Sequence, residues 1–415
     1  MVDQFVIVGG GLAAATAVQT LREEGFAGPI TLVCEEPYRP YERPPLSKAY
    51  LTANADRESV FVHPPTWYAE HDVSLLTNAR ATAIDPAAHT VALADGTLLP
   101  YTKLLLATGS TPRQLPVPGI DLDGVFTLRT LRDSERLAPR LTRGARVVII
   151  GGGWIGLEVA AAARQAGGDV TVIETTALPL QRVLGREVAQ VFVDLHEANG
   201  VRMLTRQSVQ ELRGDGRVQS VQLSDGSTLA ADLVVVGIGV WANVELASGA
   251  GLQVRGGVVT DASMRTSDPD IYAAGDIAEF EHPLLGRSLR VEHWANARGS
   301  GATAARAMLG RPAVHDNVPY FYTDQYDLGM EYRGYAEPGG YDRVVFRGST
   351  ELTDAKTPPF LVFWTQDGRV LAAMNVNSWD DGETLDRLVL AGHSGRAVDL
   401  DRLADPAAPL ESLVA

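Results

Sequence analysis

Two glycine-rich turns are the residues of this sequence best suited to chemistry with nucleotides. Each turn follows an apolar run and opens an alanine-rich segment. Their small residues are Gly9, Gly11 and Ala14 in the first turn and Gly151, Gly153 and Gly156 in the second. In such a turn the first glycine permits the sharp bend, the second leaves room for a pyrophosphate, and the third small residue lets helix and strand pack closely. Free N–H groups at the helix start then hold the diphosphate, so the pattern predicts two dinucleotide sites.

Each turn is followed by an acidic residue at the distance that a ribose site requires. Glu35 lies 24 positions after Gly11, and Glu174 lies 21 positions after Gly153. The expected spacing is about 20 residues, which places a carboxylate at the tip of the second strand to accept hydrogen bonds from the ribose diol. Because a carboxylate at Glu174 would repel a 2′-phosphate, the second site is predicted to prefer NADH over NADPH.

The turns belong to a duplicated βαβ pattern that predicts an α/β fold with two Rossmann-like domains. The apolar run Phe5–Val8 is repeated by Val147–Ile150, and each copy continues into a second strand, Ile30–Glu35 or Val170–Glu174. A later apolar strand in each copy ends in small residues, which we predict to line the nucleotide sites. These are Thr108 and Gly109 in the first copy and Gly239 in the second.

Beyond residue 319 the composition changes and tyrosines become frequent. Phe360–Trp364 and Val370–Val376 are predicted strands joined by a turn at Asp367-Gly368, and Leu385–Leu390 is a predicted helix. We therefore expect three domains: residues 1–112 with 245–318 as the first dinucleotide-binding domain, residues 113–244 as the second, and residues 319–415 as a small C-terminal α+β domain.

The overall composition disfavours several classes of partner. The formal net charge is −15, which disfavours binding to nucleic acid or to an anionic membrane surface. No run of about 18 apolar residues is present, and the chain passes from Met1 into an apolar strand without a basic region or a cleavable apolar core. We expect a cytoplasmic protein that is a monomer or a weak dimer.

Three further segments resemble a known family. Thr266–Asp276 resembles the second flavin motif of the FAD-dependent pyridine nucleotide–disulfide reductase superfamily, in which the last aspartate accepts a hydrogen bond from the ribityl chain of FAD. Arg43–Lys48 and Glu292–Ala297 narrow the resemblance to the NADH-dependent ferredoxin reductases of bacterial oxygenase systems. The resemblance covers almost the whole chain. It implies a glutathione reductase-like architecture with FAD and NAD as cofactors, in which residues 1–112 with 245–318 form the FAD-binding domain and residues 113–244 form the NAD-binding domain.

The resemblance also implies individual roles for residues of this chain. The implied FAD contacts are Ala13, Glu35, Arg43, Lys48, Ala81, Arg129, Asp276 and Trp294. Ile155 and Glu158 join the second glycine turn in the implied NAD site. Lys48 and Glu158 are the predicted catalytic residues, because in resembling enzymes they approach the flavin ring, where a cation would stabilise developing negative charge.

The cysteine content decides how electrons are expected to leave the flavin. Disulfide reductases of this superfamily keep redox cysteines beside the flavin, whereas Cys34 is the only cysteine here. A single cysteine excludes an internal disulfide, a thiolate zinc site and a protein-bound iron–sulfur cluster. The electrons are expected to pass directly to a small iron–sulfur ferredoxin of the two-iron type, on which an oxygenase depends. Rubredoxin or a quinone as acceptor, and an apoptosis-inducing-factor-like interaction protein, are the alternatives. A candidate docking patch is formed by Arg287, Arg290, Arg298 and Arg306.

Overall fold

The computed structural model describes residues 3–414, which form two compact units. The first unit contains Met1–Arg43, Asp56–Thr111 and Trp241–Pro319. The second unit contains Pro44–Ala55, Pro112–Val240 and Tyr320–Ala415. The three predicted domain boundaries stay a prediction.

Strands outnumber helices in residues 3–414, and runs of consecutive strands separate several of the helices. The first strands are β1 (Phe5–Val8), β2 (Ile30–Val33), β3 (Val73–Leu76), β4 (Ala81–Asp85), β5 (Thr90–Leu93), β6 (Leu98–Pro100), β7 (Lys103–Leu106), β8 (Ser110–Pro112), β9 (Val125–Phe126), β10 (Arg146–Ile150), β11 (Asp169–Glu174), β12 (Arg202–Thr205) and β13 (Val209–Arg213). They are followed by β14 (Ser220–Leu223), β15 (Thr228–Ala230), β16 (Leu233–Val236), β17 (Val240–Ala242), β18 (Val258–Thr260), β19 (Ile271–Ala273), β20 (Ala278–His282), β21 (Arg287–Arg290), β22 (Tyr320–Gln325), β23 (Leu328–Gly334), β24 (Arg343–Arg347), β25 (Phe360–Gln366) and β26 (Arg369–Val376). The helices are α1 (Leu12–Glu23), α2 (Trp67–Glu70), α3 (Leu131–Leu137), α4 (Trp154–Gln165), α5 (Gln181–Ala198), α6 (Glu245–Gly249), α7 (Trp294–Met308), α8 (Gly382–His393) and α9 (Leu400–Ala404). Short 3-10 turns lie at Pro44–Ser47, Arg57–Val60, Ala138–Arg140, Gly275–Ile277 and Leu410–Leu413.

The first unit is built on a parallel sheet of order β19-β7-β1-β2-β3. All residues of β1 and β2 are buried, as expected for parallel strands covered on both faces. Helix α1 packs very closely on α7, because a Cβ added at Gly301 would collide with the main-chain carbonyl of Ala13. This close packing fixes the start of α1, which is the predicted phosphate site.

The second unit repeats this arrangement in a parallel sheet of order β12-β11-β10-β16-β9. In both units an antiparallel three-stranded insertion, β4-β5-β6 or β13-β14-β15, precedes the strand that returns beside the first one. The predicted duplication of a βαβ unit therefore extends to the strand order and to the inserted sheet. The α/β fold class is confirmed.

The C-terminal part of the second unit is an antiparallel sheet of order β22-β23-β26-β25-β24 with α8 packed on it. The predicted turn between β25 and β26 is present, and both Asp367 (φ 50°) and Gly368 (φ 75°) have left-handed backbone conformations. Two such residues match the twist of a two-residue hairpin. The predicted helix lies within α8, whose Leu385, Leu388 and Val389 are buried.

Strand β2 ends two residues earlier than predicted. Its last residue is Val33, and Cys34 and Glu35 continue beyond it. Cys34 is fully buried, and burial, with a smaller contribution from nearby Glu36, raises the pKa of its thiol to about 12. A thiol held in this form is a poor nucleophile, as expected for a small apolar core residue.

Buried histidines, of which His196 and His315 are examples, should make the stability of the protein depend on pH. His196 and His315 are almost fully buried, and burial lowers the pKa of each to about 4. Unfolding returns each pKa to about 6.5, so the unfolded chain binds more protons between about pH 6.5 and pH 4. The free energy of unfolding should therefore fall on acidification, by up to about 1.4 kcal/mol per pH unit for each histidine.

Urea unfolding at several values between about pH 7 and pH 5 would measure this slope. The variant His315→Gln removes one of these buried histidines, and its slope should be shallower by the contribution of one proton. The contributions of carboxylates cancel in that difference. Equal slopes for the two proteins would contradict the assignment of His315.

Candidate functional site

The two glycine turns connect strand and helix as the sequence predicts. In the first, β1 ends at Val8 and α1 begins at Leu12; in the second, β10 ends at Ile150 and α4 begins at Trp154. The N-cap positions are Gly11 and Gly153, and neither helix start is capped by a side chain. The first-turn N–H groups of α1 and α4 therefore have no side-chain cap at the point where an anion would bind.

The space around each glycine matches the role predicted for it. A Cβ added at Gly11 would have no heavy atom within 4 Å, and one added at Gly153 would meet only the carbonyl oxygen of Gly237, at 3.9 Å. In contrast, a Cβ at Gly156 would collide with the carbonyl of Gly151. The second glycine of each turn thus faces open space, and the third glycine of the second turn packs against backbone, so the residues present fit two bound dinucleotides.

Glu174 is fixed at the tip of β11 by the turn itself. Its Oε2 accepts a hydrogen bond from the Gly152 N–H (2.9 Å), and its Oε1 accepts from the N–H (2.7 Å) and hydroxyl (2.9 Å) of Thr176. Burial alone would raise the pKa of Glu174, but the hydrogen bonds from Thr176 and Gly152 outweigh it and hold the pKa below its usual range. The second unit therefore presents an oriented negative charge beside its glycine turn.

The equivalent acid of the first unit is less constrained. Glu35 is exposed, and its Oε1 lies 3.6 Å from Arg80 Nε. The adjacent Glu36 is the more engaged carboxylate, since it accepts a hydrogen bond from the Tyr41 hydroxyl (2.6 Å) and pairs with Arg43 (3.1 Å). The sequence reasoning missed Glu36 and Tyr41. They orient the guanidinium of Arg43, a predicted FAD contact.

The predicted flavin aspartate lies beside the start of α1. Asp276 is in the 3-10 turn after β19, and the Ser110 hydroxyl donates to its Oδ2 (2.7 Å). The preceding Gly275 has a left-handed φ of 75°, and a Cβ there would lie 3.1 Å from Ala13 Cβ. The first unit therefore brings Ala13 and Asp276 together, although they are far apart in the sequence. The sequence pattern did not reveal this contact of Ser110 with the predicted flavin aspartate.

The other predicted contacts are placed by the ends of neighbouring elements. Thr108 is used structurally, because its hydroxyl donates to the Asn243 carbonyl (2.7 Å) and its own carbonyl accepts from the Asn243 amide (2.9 Å). The carbonyls of Gly109 and Gly239 accept hydrogen bonds from the N–H groups of Asn243 and Arg113, respectively. Ala81 begins β4, Trp294 begins α7, and Arg129 precedes α3. Ile155 is exposed in the first turn of α4. Their contacts with nucleotides stay predictions.

The two predicted catalytic residues form an ion pair within the second unit. Lys48 Nζ lies 2.8 Å from Glu158 Oε1, and only 3% of the Glu158 side chain is exposed. Thr323 donates to the same oxygen (2.6 Å) and Ser47 donates to Oε2. The Lys48 ammonium also lies 5.5 Å from the ring centroid of Tyr322, within the range of a cation–π interaction. Every part of this carboxylate therefore has a donor, as a buried charge requires.

Two family models match the chain. Residues 3–301 match the model of the pyridine nucleotide-disulphide oxidoreductases, and residues 320–414 match the model described as reductase C-terminal. The chain belongs to the pyridine nucleotide-disulphide oxidoreductase family. No helix within residues 3–414 is long and apolar enough to cross a membrane.

Similar proteins match this family member over nearly its whole length. Putidaredoxin reductase of Pseudomonas putida is 39% identical over 100% of this chain and 97% of its own. The anthranilate 1,2-dioxygenase system ferredoxin–NAD(+) reductase component of Burkholderia cepacia is 40% identical over 99% of both chains. The crystal structure of the covalent putidaredoxin reductase–putidaredoxin complex has a TM-score of 0.93 at 39% identity, covering 99% of this chain and 98% of that one. The predicted family, the oxidoreductase class and the cofactors FAD and NAD are confirmed.

The two kinds of glycine should respond differently to a single added methyl group. Gly153→Ala fills open space, so we expect an unchanged melting temperature but weaker binding of NADH, by about tenfold or more, because the methyl group takes the place of the pyrophosphate. Gly156→Ala should instead destabilise the fold by about 1–3 kcal/mol, since it forces strand and helix apart. Thermal unfolding and an NADH titration of both variants would separate these effects. Unchanged NADH affinity in Gly153→Ala would contradict the proposed phosphate position.

Glu174 should control the choice between NADH and NADPH. The variant Glu174→Gln keeps the size of the side chain and an acceptor oxygen but removes the charge that repels a 2′-phosphate. We expect the ratio of kcat/KM for NADH to that for NADPH to fall about tenfold. Steady-state kinetics with both cofactors would measure this ratio. The control Glu211→Gln removes a partly exposed carboxylate, paired with Arg213, from the same unit and should leave the ratio unchanged; an equal change in both variants would point to net charge as the cause.

Proposed function

We propose that this protein oxidises NADH at bound FAD and passes the electrons singly to a small two-iron ferredoxin that serves an oxygenase. One observation carries the proposal: the chain has two nucleotide-binding turns but no thiol placed for redox exchange. Its only cysteine, Cys34, is buried on the strand side of the first turn. A flavoprotein without a thiol relay must deliver its electrons directly from the flavin.

The protein residues would bind and orient the two cofactors. The cofactors carry the chemistry, since bound FAD can accept a hydride from NADH and release the electrons one at a time. The Gly9–Ala14 turn, Arg43 and Asp276 would hold FAD, and the Gly151–Gly156 turn and Glu174 would hold NADH. Lys48 supplies a fixed positive charge, kept in place by Glu158, which would stabilise negative charge developing close to it.

The similarity to ferredoxin reductases supports a ferredoxin as the acceptor. Both relatives described above carry a ferredoxin-type acceptor in their names, and each is matched over 97% or more of its length. Human apoptosis-inducing factor 3 is 36% identical, but this chain covers only 63% of it. The comparisons therefore favour ferredoxin reduction over the interaction-protein alternative. The cytoplasmic location and the oligomeric state stay predictions.

The predicted basic docking patch is weaker than the sequence implied. Arg290 pairs with Glu292 (2.6 Å), and Arg306 pairs with Glu24 (3.0 Å). These carboxylates neutralise two of the four arginines. Arg298 lies over the ring of Trp294, 4.8 Å from its centroid. The position of ferredoxin docking therefore stays a prediction.

A two-stage assay tests the proposed function. The purified protein should contain flavin, and NADH should bleach the flavin absorbance without oxygen present. Reduction of cytochrome c by NADH should then require an added two-iron ferredoxin, and rubredoxin or a quinone in its place should support a slower rate. A flavin that NADH fails to bleach would overturn the proposal. Cytochrome reduction that is equally fast without ferredoxin would favour a diaphorase instead.

A further inference from the structure

A series of buried side chains continues from the catalytic ion pair into the C-terminal sheet. Thr323 Oγ1 lies 2.6 Å from Glu158 Oε1, and Gln325 Nε2 lies 3.2 Å from Thr323 Oγ1. His196 Nε2 then lies 2.8 Å from Gln325 Oε1, and the Tyr326 hydroxyl lies 3.2 Å from His196 Nδ1. All five residues belong to the second unit.

The carboxylate at one end determines the direction of every hydrogen bond in the series. Glu158 can only accept, so Thr323 must donate its single hydroxyl proton to it. The remaining lone pairs of Thr323 can only accept, which requires the amide nitrogen of Gln325 as the donor. The amide oxygen of Gln325 then faces His196 and requires an N–H at Nε2. His196 is therefore the Nε2–H tautomer, and its Nδ1 accepts from Tyr326.

Burial makes this order obligatory. The exposed fractions are 0% for His196 and Thr323, 1% for Gln325 and 3% for Glu158, so water cannot replace a missing partner. Burial also lowers the pKa of His196 to about 4, which keeps the ring neutral at neutral pH. A neutral ring has one donor and one acceptor nitrogen, as the series requires. Reversing one link would leave a buried polar group unpaired.

The fold supplies the spacing for these contacts. Thr323 and Gln325 are two residues apart on β22 and so share one face of the sheet. Glu158 is on α4, His196 is in the last turn of α5, and Tyr326 follows β22 with a left-handed φ of 57°. The left-handed residue turns the chain back after the strand.

We propose that Thr323, Gln325 and His196 are positioning residues of the Lys48–Glu158 pair. Thr323 and Lys48 bind the same oxygen of Glu158, so the orientation of the threonine hydroxyl determines where the carboxylate, and with it the ammonium group, is held. Gln325 and His196 fix that orientation from a distance. The inference rests on the proposed function only in taking Lys48 to act on hydride transfer to the flavin.

The series orients groups and does not conduct protons. A primary amide such as Gln325 binds its protons tightly and does not readily pass one from nitrogen to oxygen. The series therefore acts on the geometry and the local electric field at Glu158. Asp324, the intervening residue of β22, is a second acidic group; burial raises the pKa of its carboxyl, an effect that Lys48 partly offsets. Of these two acidic side chains, only Glu158 is ion-paired with Lys48 and hydrogen-bonded to the series.

The first test examines the series itself, independently of activity. In nitrogen-15-labelled holoenzyme, the resonances that disappear in His196→Phe identify His196. They should show a neutral ring protonated at Nε2 at neutral pH, and the Nε2 shift should move in Gln325→Met. A ring protonated at Nδ1, or a charged ring, would overturn the proposed direction.

The second test examines the effect on hydride transfer. Thr323→Val removes the hydroxyl but keeps the shape of the side chain, and we expect flavin reduction by NADH in a single turnover to slow about tenfold. Thr323→Ser keeps the hydroxyl and should stay within about twofold of the wild type. Equal slowing in both variants would show that packing, and not the hydrogen bond, matters at this position.

A double-mutant cycle then distinguishes positioning from a general structural role. Gln325→Met should slow flavin reduction several-fold in the wild-type background but have no further effect in Thr323→Val, because the connection to Glu158 is already broken. Additive effects would overturn the proposal. If Thr323→Val does not fold, the same comparison is made in Thr323→Ala.

The outcomes also separate this inference from the proposed function. If NADH bleaches the flavin but no ferredoxin is reduced, the proposed acceptor is wrong and both tests of the series still apply. If the wild-type flavin is not bleached at all, the proposed function fails, whereas the histidine spectrum still reports whether the series has the proposed direction.

Discussion

A carboxylate removed from water must be matched by hydrogen-bond donors, and in the second unit that requirement joins chain segments that are far apart in the sequence. Glu158 on α4 is held by Ser47, the last residue of the Pro44–Ser47 turn, by the adjacent Lys48, and by Thr323 from β22. Removing the cationic partner, Lys48, would leave an uncompensated buried charge, which is strongly destabilising. The same contacts that satisfy the charge therefore also assemble the site.

The two copies of the βαβ unit show how one architecture can serve two ligands. The strand order and the inserted sheet are repeated, but the acids after the second strand differ. Glu174 is held by the backbone of its own turn, whereas Glu35 is exposed and its neighbour Glu36 binds an arginine. The fold thus supplies the same phosphate position twice, and the differences in binding arise from side chains at the ends of the strands.

The sequence predicted those features that depend on local pattern. Continuous apolar runs such as Phe5–Val8 indicated buried parallel strands, and the glycine spacing indicated which positions face open space. The contacts of Ser110 with Asp276, of Tyr41 and Glu36 with Arg43, and of Thr323 with Glu158 were not predicted, because they join residues whose proximity depends on tertiary packing. The early end of β2 also depends on tertiary packing. The Cys34 N–H donates to the Leu76 carbonyl, and the Cys34 carbonyl accepts from the Ala79 N–H.

The burial of Cys34 has a practical consequence for studying electron transfer. Its sulfur lies beneath the first glycine turn with a pKa of about 12, so it is shielded from maleimides and other alkylating reagents. A cysteine introduced at a chosen surface position would then be the single reactive thiol of the molecule. The protein can accept one spin label or fluorophore at a time without first losing a native residue, which makes it a convenient partner for mapping where an iron–sulfur protein approaches.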